Sequence, residues 1–134
     1  MPEFTPAALA RLDGCHPDLK RLMLEVVKHI PCTILQGPRT ESEELAHMAD
    51  GTSKLKDPKA SKHVTYALRP LALAVDAAPT PVDWKDLQRW HVFGGFVKGV
   101  ASQLGIPIRW GGDWDGDYDY HDQTFNDLPH FEVA

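Results

Sequence analysis

The chain has 134 residues, of which 43% are hydrophobic and 25% charged, and its formal net charge is −5. This composition is that of one ordinary globular domain, and the acidic balance argues against a general nucleic-acid-binding protein. No apolar run reaches the roughly 18 residues of a membrane span, and the first residues do not have the pattern of a signal peptide, so we expect synthesis in the cytoplasm.

Apolar spacing predicts two helices and a strand in the first third of the chain. A short helix over 7–12 is stopped by Gly14, and an amphipathic helix over 17–30 is ended by Pro31. The segment 32–36, closed by Gly37 and Pro38, then predicts a short strand.

A capping box follows, because Thr40 and Glu43 can each satisfy a backbone donor at a helix start. We expect this helix to end near Gly51. The apolar segment 71–75 predicts a short buried strand with Asp76 at its end.

The longest predicted helix covers 84–104 and is ended by Gly105. A strand over 106–110, an Asp/Gly-rich loop over 111–122 and an extended segment carrying His130 complete the chain. Helices and strands mix without strict alternation, which predicts an α+β fold with a small antiparallel sheet flanked by helices.

His63, Asp76 and His130 are the candidate metal ligands, each expected at the end of a short strand. Two imidazoles and one carboxylate suit zinc and leave a coordination position for water. The alternative for Asp76 is a salt bridge to Arg39 or Arg69, since an unpaired buried charge is costly.

Asp127 stands three residues before His130, and Pro129 between them keeps the segment extended. Its carboxylate can therefore face the metal site without being a ligand. We predict that Asp127 is the general base that takes a proton from water.

Several segments resemble the signature of the zinc D-alanyl-D-alanine carboxypeptidase and L-alanyl-D-glutamate endopeptidase family, which includes VanY-like peptidases and many phage endolysins. They are Ser61-Lys62-His63, Ala74-Val75-Asp76 and Asp127-Leu128-Pro129-His130-Phe131-Glu132. Gln36-Gly37-Pro38-Arg39-Thr40 is similar to the family's glycine-arginine motif, and Arg109-Trp110-Gly111-Gly112-Asp113-Trp114 to the segment before its last motif.

The resemblance spans roughly residues 17–133 and implies a hedgehog/D,D-peptidase-like fold. It implies that His63, Asp76 and His130 bind zinc, that Asp127 is the general acid/base, and that Arg39 polarises the scissile carbonyl. Ser61, in the first motif, is assigned to substrate binding.

One departure from the family pattern is the gap of thirteen residues between His63 and Asp76. The family usually has a shorter gap, and 66–71 looks like an insertion that must bulge as a loop if Asp76 is to reach the metal. Asp83 is the fallback ligand, although it is better explained as the N-cap of the long helix.

The acidic loop, defined as 111–122, contains Asp113, Asp115 and Asp117 in alternation with other residues. Two interpretations stay open: a solvated loop beside the active cleft, and a calcium site that resembles the start of a calcium-binding loop. His121, between this loop and the final motif, is a candidate substrate contact.

The function predicted by the resemblance is that of a zinc peptidase that cuts peptidoglycan stem peptides at the L-alanyl-D-glutamate bond, as a phage endolysin. The alternatives are a D,D-carboxypeptidase removing terminal D-Ala and a non-catalytic metal- or cell-wall-binding module. We expect a monomer with one catalytic domain over 1–134, made in the host cytoplasm and acting on the wall in the periplasm after release through a holin pore. Whether Cys15 and Cys32 form a disulfide is left open.

Overall fold

The computed structural model describes residues 2–134, and its secondary structure follows the predicted order. The helices and strands are α1 (Pro6–Asp13), α2 (Pro17–Val27), β1 (Cys32–Gln36), α3 (Glu41–Ala49), a short 3-10 turn (Pro58–Ala60), β2 (Ala74–Pro79), α4 (Leu87–Leu104), β3 (Ile108–Gly111) and β4 (Asp127–Val133). Gly14 is the C-cap of α1, and Gly105 ends α4 in the left-handed conformation, as expected.

The four strands form one antiparallel sheet in the order β1-β2-β4-β3. The predicted α+β class with a small antiparallel sheet is therefore confirmed. No helix in the described part of the chain is both long and apolar enough to cross a membrane.

The sheet separates the core from the candidate site because side chains alternate between its two faces. Val75 and Phe131 lie opposite each other in the β2–β4 register and belong to the core cluster with α2 and α4. Their neighbours Asp76 and His130 also pair in register, so they point to the other face. Strands β2 and β4 thus carry the Val75–Phe131 core contact on one face and the candidate site residues Asp76 and His130 on the other.

Several element boundaries differ from the predicted ones. Helix α2 ends at Val27 rather than near Pro31, and α4 begins at Leu87 with Asp86, not Asp83, as its N-cap. Strand β2 begins at Ala74, so Asp76 is its third residue and not the residue after its end. The predicted short apolar strand begins too early because Ala72 is also buried, although it makes only an isolated bridge to Cys15 outside the ladder.

The capping box of α3 is present in full. The Thr40 side chain accepts from the backbone N–H of Glu43, and the Glu43 carboxylate accepts from that of Thr40. Cys15 and Cys32 are both buried and unpaired, so the structure contains no Cys15–Cys32 disulfide.

Candidate metal centre and catalytic cleft

His63, Asp76 and His130 converge on one point on the face of the sheet opposite the Val75–Phe131 core contact. His63 Nε2 lies 3.1 Å from Asp76 Oδ1 and 3.3 Å from His130 Nδ1, and the last two atoms are 3.5 Å apart. The three atoms form a nearly regular triangle. Bonds of about 2.1 Å at tetrahedral angles separate ligand atoms by about 3.4 Å, so the triangle has the size of a zinc site.

The position of His63 depends on the segment that carries Gly37 and Arg39. The backbone N–H of Arg39 donates to the carbonyl of His63, and that of Thr65 donates to the carbonyl of Arg39. His63 Nδ1 lies 2.9 Å from the carbonyl oxygen of Gly37. Gly37 has to be glycine, because a Cβ there would lie 2.1 Å from the carbonyl oxygen of Arg11.

The long gap between His63 and Asp76 is accommodated by a small hairpin. Tyr66 and Arg69 exchange two backbone hydrogen bonds, which leaves Leu68 at the tip 92% exposed. The guanidinium of Arg69 donates to the carbonyls of Lys59, Ser61 and Val64 and so fastens the hairpin to the His63 loop. The insertion bulges outward, and Asp76 reaches the site.

Each imidazole makes a hydrogen bond on the side that faces away from the triangle. His63 Nε2 and His130 Nδ1 are therefore left free to bind a metal. A carbonyl oxygen can only accept, so the Gly37 contact places the proton of neutral His63 on Nδ1. Glu132 Oε1 lies 2.8 Å from His130 Nε2 and likewise places the proton of neutral His130 on that atom. Two nitrogen lone pairs and the Asp76 carboxylate then face one another, an arrangement that can hold a metal cation at its centre.

The electrostatics of the metal-free site agree with this arrangement. Burial alone would raise the pKa of Asp76, but hydrogen bonds from His130 and His63 outweigh it and hold the pKa well below its usual range. Burial alone would lower the pKa of His130, but hydrogen bonds to Asp76 and Glu132 raise it to about 9. Without a metal, a proton on His130 thus partly balances the carboxylates.

Glu132 connects the His130 ring to two basic side chains. It lies two residues from His130 on the same face of β4, and its Oε2 lies 3.0 Å from Lys62 Nζ and 3.5 Å from an Arg109 guanidinium nitrogen. Glu132 is 6% exposed. The pair of cations offsets the charge of Glu132 and holds it against His130, as carboxylates behind metal-binding histidines usually do.

Asp127 lies beside the triangle without belonging to it. Its Oδ2 is 3.8 Å from His130 Nδ1, and its side chain is 39% exposed at the edge of the cleft. Burial and the negative charge of Asp76 raise the pKa of Asp127. A carboxylate with a raised pKa next to an open metal position has the chemistry of a proton carrier.

Arg39 also lines the cleft, and a buried carboxylate holds it in place. Its guanidinium contacts Glu44 Oε2 at 2.5 Å and donates to Gln36 Oε1 at 2.8 Å, while its Nε is buried with no hydrogen-bond partner. Glu44 is fully buried and also accepts from the hydroxyl of Ser53 at 2.6 Å. Neither Arg39 nor Arg69 pairs with Asp76, so the salt-bridge alternative for Asp76 is wrong.

The cleft around the triangle has a volume of about 570 Å³. It is bordered by Arg39, Glu44, Thr52, Ser53, Lys54, Leu55, Ala60, Ser61, Lys62, His63, Asp76, Trp114, Phe125, Asp127, His130 and Glu132. Ser61, a predicted substrate contact, therefore borders the cleft, although its hydroxyl already accepts from the backbone N–H of His63 at 3.3 Å. Of the three basic residues at this border, Arg39 and Lys62 pair with Glu44 and Glu132, and Lys54 has no carboxylate partner among the described residues.

The second predicted substrate contact, His121, does not border the cleft. Its ring stacks on Tyr120 and lies 2.9 Å from Asp119 Oδ1, exposed on the acidic loop. The fallback ligand Asp83 does not lie in the site either. Its carboxylate accepts from the backbone N–H of Lys85 and its carbonyl from the indole of Trp90.

Asp113, Asp115 and Asp117 approach one another closely enough to share a cation. Asp113 is buried and its Oδ2 contacts Lys98 Nζ at 2.5 Å, whereas its Oδ1 has no hydrogen-bond partner. Trp114, in the same loop, packs against His130 with ring centroids 5.5 Å apart. The acidic loop is thus part of the wall of the cleft.

Three residues of the site, Glu44, Glu132 and Trp114, are not predicted from the sequence. Glu132 was detectable, because residues two apart share a face of a strand. Glu44 was hidden among the acidic residues at the start of α3, and only the folded structure distinguishes it from its exposed neighbours.

Known proteins with similar sequence and structure agree with this arrangement. Residues 3–134 match the family described as phage L-alanyl-D-glutamate peptidase. The L-alanyl-D-glutamate peptidase of Escherichia phage T5 is 38% identical in an alignment of 113 positions that covers 80% of this chain and 77% of that protein. The crystal structure of Serratia marcescens L-Ala D-Glu endopeptidase ChiX superposes with a TM-score of 0.73 at 23% identity, covering 99% of this chain and 91% of that one, and so shares its fold. The chain belongs to the phage L-alanyl-D-glutamate peptidase family.

Proposed function

We propose that this chain is a zinc-dependent endolysin that hydrolyses the L-alanyl-D-glutamate bond of peptidoglycan stem peptides. Membership of the phage peptidase family supports the bond and the substrate. The observation that carries the metal dependence is the triangle of His63 Nε2, Asp76 Oδ1 and His130 Nδ1, whose edges match those of a zinc site. Two histidines and one carboxylate leave an open position, as catalytic zinc requires.

Zinc, when bound by these three residues, supplies Lewis acidity that makes water a better nucleophile and polarises the peptide carbonyl. Asp127 accepts the proton of the attacking water and then donates it to the D-glutamyl nitrogen as the peptide bond breaks. Its place beside His130, at the edge of the cleft, supports this role. Arg39 stabilises the negative charge that develops on the carbonyl oxygen.

Glu44 and Gln36 hold the Arg39 guanidinium in a fixed orientation before substrate arrives. Such preorganisation matters because a charge that is already in place does not have to reorganise in the transition state. Ser61, at the border of the cleft, is proposed to contact the substrate backbone. His121 does not border the cleft, so it would have to move to contact the substrate.

The proposal also covers the domain organisation of the chain and its place of action. All strands and helices α1, α2 and α4 share one core, which supports a single catalytic domain. We further propose that it acts as a monomer. We propose that it acts on the cell wall after holin-dependent release from the host cytoplasm.

For the acidic loop, the hypothesis to test is calcium binding by Asp113, Asp115 and Asp117, supported by their proximity and by the unpaired Asp113 oxygen.

Mass spectrometry of purified sacculi digested with the zinc-loaded protein tests the bond. Hydrolysis at the proposed bond creates a new D-Glu N-terminus. Release of free D-Ala would instead show the D,D-carboxypeptidase alternative. Unchanged sacculi would favour a non-catalytic wall-binding module and refute the proposed activity.

A further inference from the structure

A second, largely apolar groove adjoins the catalytic cleft at Asp127. The groove has a volume of about 450 Å³ and is lined by Trp84, Leu87, Trp90, Asn126, Asp127, Leu128 and Pro129. Asp127 is shared by the groove and by the cleft. A substrate held at the metal centre can therefore extend past Asp127 into this groove.

Two large apolar side chains of the groove, Trp84 and Leu87, are exposed to solvent. Trp84 is 59% exposed and Leu87 is 56% exposed. The Trp84 indole stacks on Trp90 with centroids 4.8 Å apart and an interplanar angle of 20°, and Trp90 is fixed by a hydrogen bond from its Nε1 to the carbonyl of Asp83. Trp84 is thus an oriented aromatic surface in contact with solvent, which is typical of a binding site.

The charges of the two cavities differ, and this difference orients the substrate. Lys54 borders the cleft with no carboxylate partner among the described residues, whereas the groove contains no basic side chain and only the Asp127 carboxylate. The D-glutamyl side of the scissile bond carries a free carboxylate, with which Lys54 can pair in the cleft, whereas the groove offers no cation. The L-alanyl side of the substrate then extends into the groove.

What lies on the L-alanyl side follows from the chemistry of peptidoglycan. The L-alanyl nitrogen is joined through an amide to the lactyl group of N-acetylmuramic acid, so one amino acid separates the scissile bond from the sugar. One extended residue spans about 3.3–3.6 Å, so the sugar has to lie next to the cleft. The groove that begins at Asp127 is in that position.

We propose that this groove binds the N-acetylmuramic acid unit of the substrate; this inference rests on the proposed function. The C–H face of the pyranose ring stacks on Trp84, as sugars commonly stack on indole rings, and Leu87 contacts its apolar substituents. The Asn126 side chain offers both a donor and an acceptor to the acetamido group. The enzyme would then favour stem peptides that are still attached to the glycan.

The test compares two substrates: a stem tripeptide with an acetylated N-terminus, and the same tripeptide linked to N-acetylmuramic acid. For the zinc-loaded wild-type chain we expect kcat/KM to be about tenfold or more higher for the muramoyl peptide, the size of discrimination that one apolar contact can supply. Trp84→Ala should bring this ratio close to one. Trp84→Phe, which keeps an aromatic surface, should retain much of it.

One control and one further groove variant keep the result interpretable. Leu68→Ala removes an apolar side chain that is 92% exposed and distant in sequence from the groove, and it should leave the substrate ratio unchanged. Leu87→Ala leaves the Trp84–Trp90 stack intact and should lower the ratio without loss of folding. Equal kcat/KM values for both substrates in the wild-type chain, or a ratio that Trp84→Ala does not change, would overturn the inference but not the proposed function. Cleavage of neither substrate would overturn the proposed function itself.

Discussion

Asp76 lies directly opposite His130 in the β2–β4 ladder, and their side chains meet at 3.5 Å on the face of the sheet opposite the Val75–Phe131 core contact. This register brings together two groups that are far apart in the sequence. It also excludes Asp83, which follows β2, from the site.

Asp76→Ala should therefore abolish tight zinc binding and activity, because only two protein ligands would remain. Asp83→Ala is the matched control, since it removes an aspartate of the same segment that faces away from the site. Zinc content after dialysis and lysis of purified cell walls are the measurements. If the Asp83 variant lost zinc and the Asp76 variant retained it, Asp83 and not Asp76 would be the third metal ligand.

Glu44→Gln should lower kcat more than it changes KM, because it loosens Arg39 in the transition state without touching the zinc ligands. The expected loss is about tenfold to a hundredfold in kcat, the cost of weakening one preorganised contact. Glu41→Gln, on the same helix, should behave as wild type. A Glu44 variant with wild-type kcat would show that Arg39 needs no such support.

The same ion pair should make stability depend on pH. Burial alone would raise the pKa of Glu44, but hydrogen bonds from Ser53 and Arg39 outweigh it and lower the pKa below the ordinary value of 4.5. A lowered folded-state pKa contributes stability above pH 4.5 that is lost as the pH falls through the folded value. Glu44→Gln should thus cost about 3 kcal/mol at pH 7, as for one partner of a buried pair.

That difference between wild type and Glu44→Gln should shrink at pH values below 4.5. Denaturant unfolding of the metal-free proteins at several pH values measures it, because other acid-sensitive groups are common to both proteins. A difference that stays constant with pH would show that the carboxylate charge does not stabilise the fold.

Calcium titration tests the acidic loop. If Asp113, Asp115 and Asp117 bind calcium, addition of calcium to the zinc-loaded protein should raise Tm, and Asp115→Asn should remove that shift. Asp119→Asn, in the same loop, is the control. No change in Tm or in activity on adding calcium would show that the loop is simply a solvated acidic segment.

The sequence was most informative where short-range patterns determine the structure. The capping box at Thr40 and the strand over 32–36 depend on neighbouring residues and agree with the structure. The segment containing Asp127 and His130 also forms the predicted extended strand. These features need no knowledge of distant contacts.

Features that depend on contacts between distant segments of the chain could not be predicted from the sequence. The position of Asp76 within β2 depends on its register with β4, and the tight hairpin at Tyr66–Arg69 depends on contacts of Arg69 with an earlier loop. Burial of Glu44 depends on Ser53 and Arg39 coming together. Strand register and the burial of one acid among several are tertiary properties.

The most direct test of the account separates metal binding from proton transfer at the same site. Asp127→Ala should keep about one zinc per chain and lose activity on purified peptidoglycan by at least about a hundredfold, whereas His130→Ala should lose the zinc. Zinc analysis and mass spectrometry of the digested sacculi measure both outcomes. An Asp127→Ala protein that still releases peptides with a D-Glu N-terminus at the wild-type rate would contradict the account.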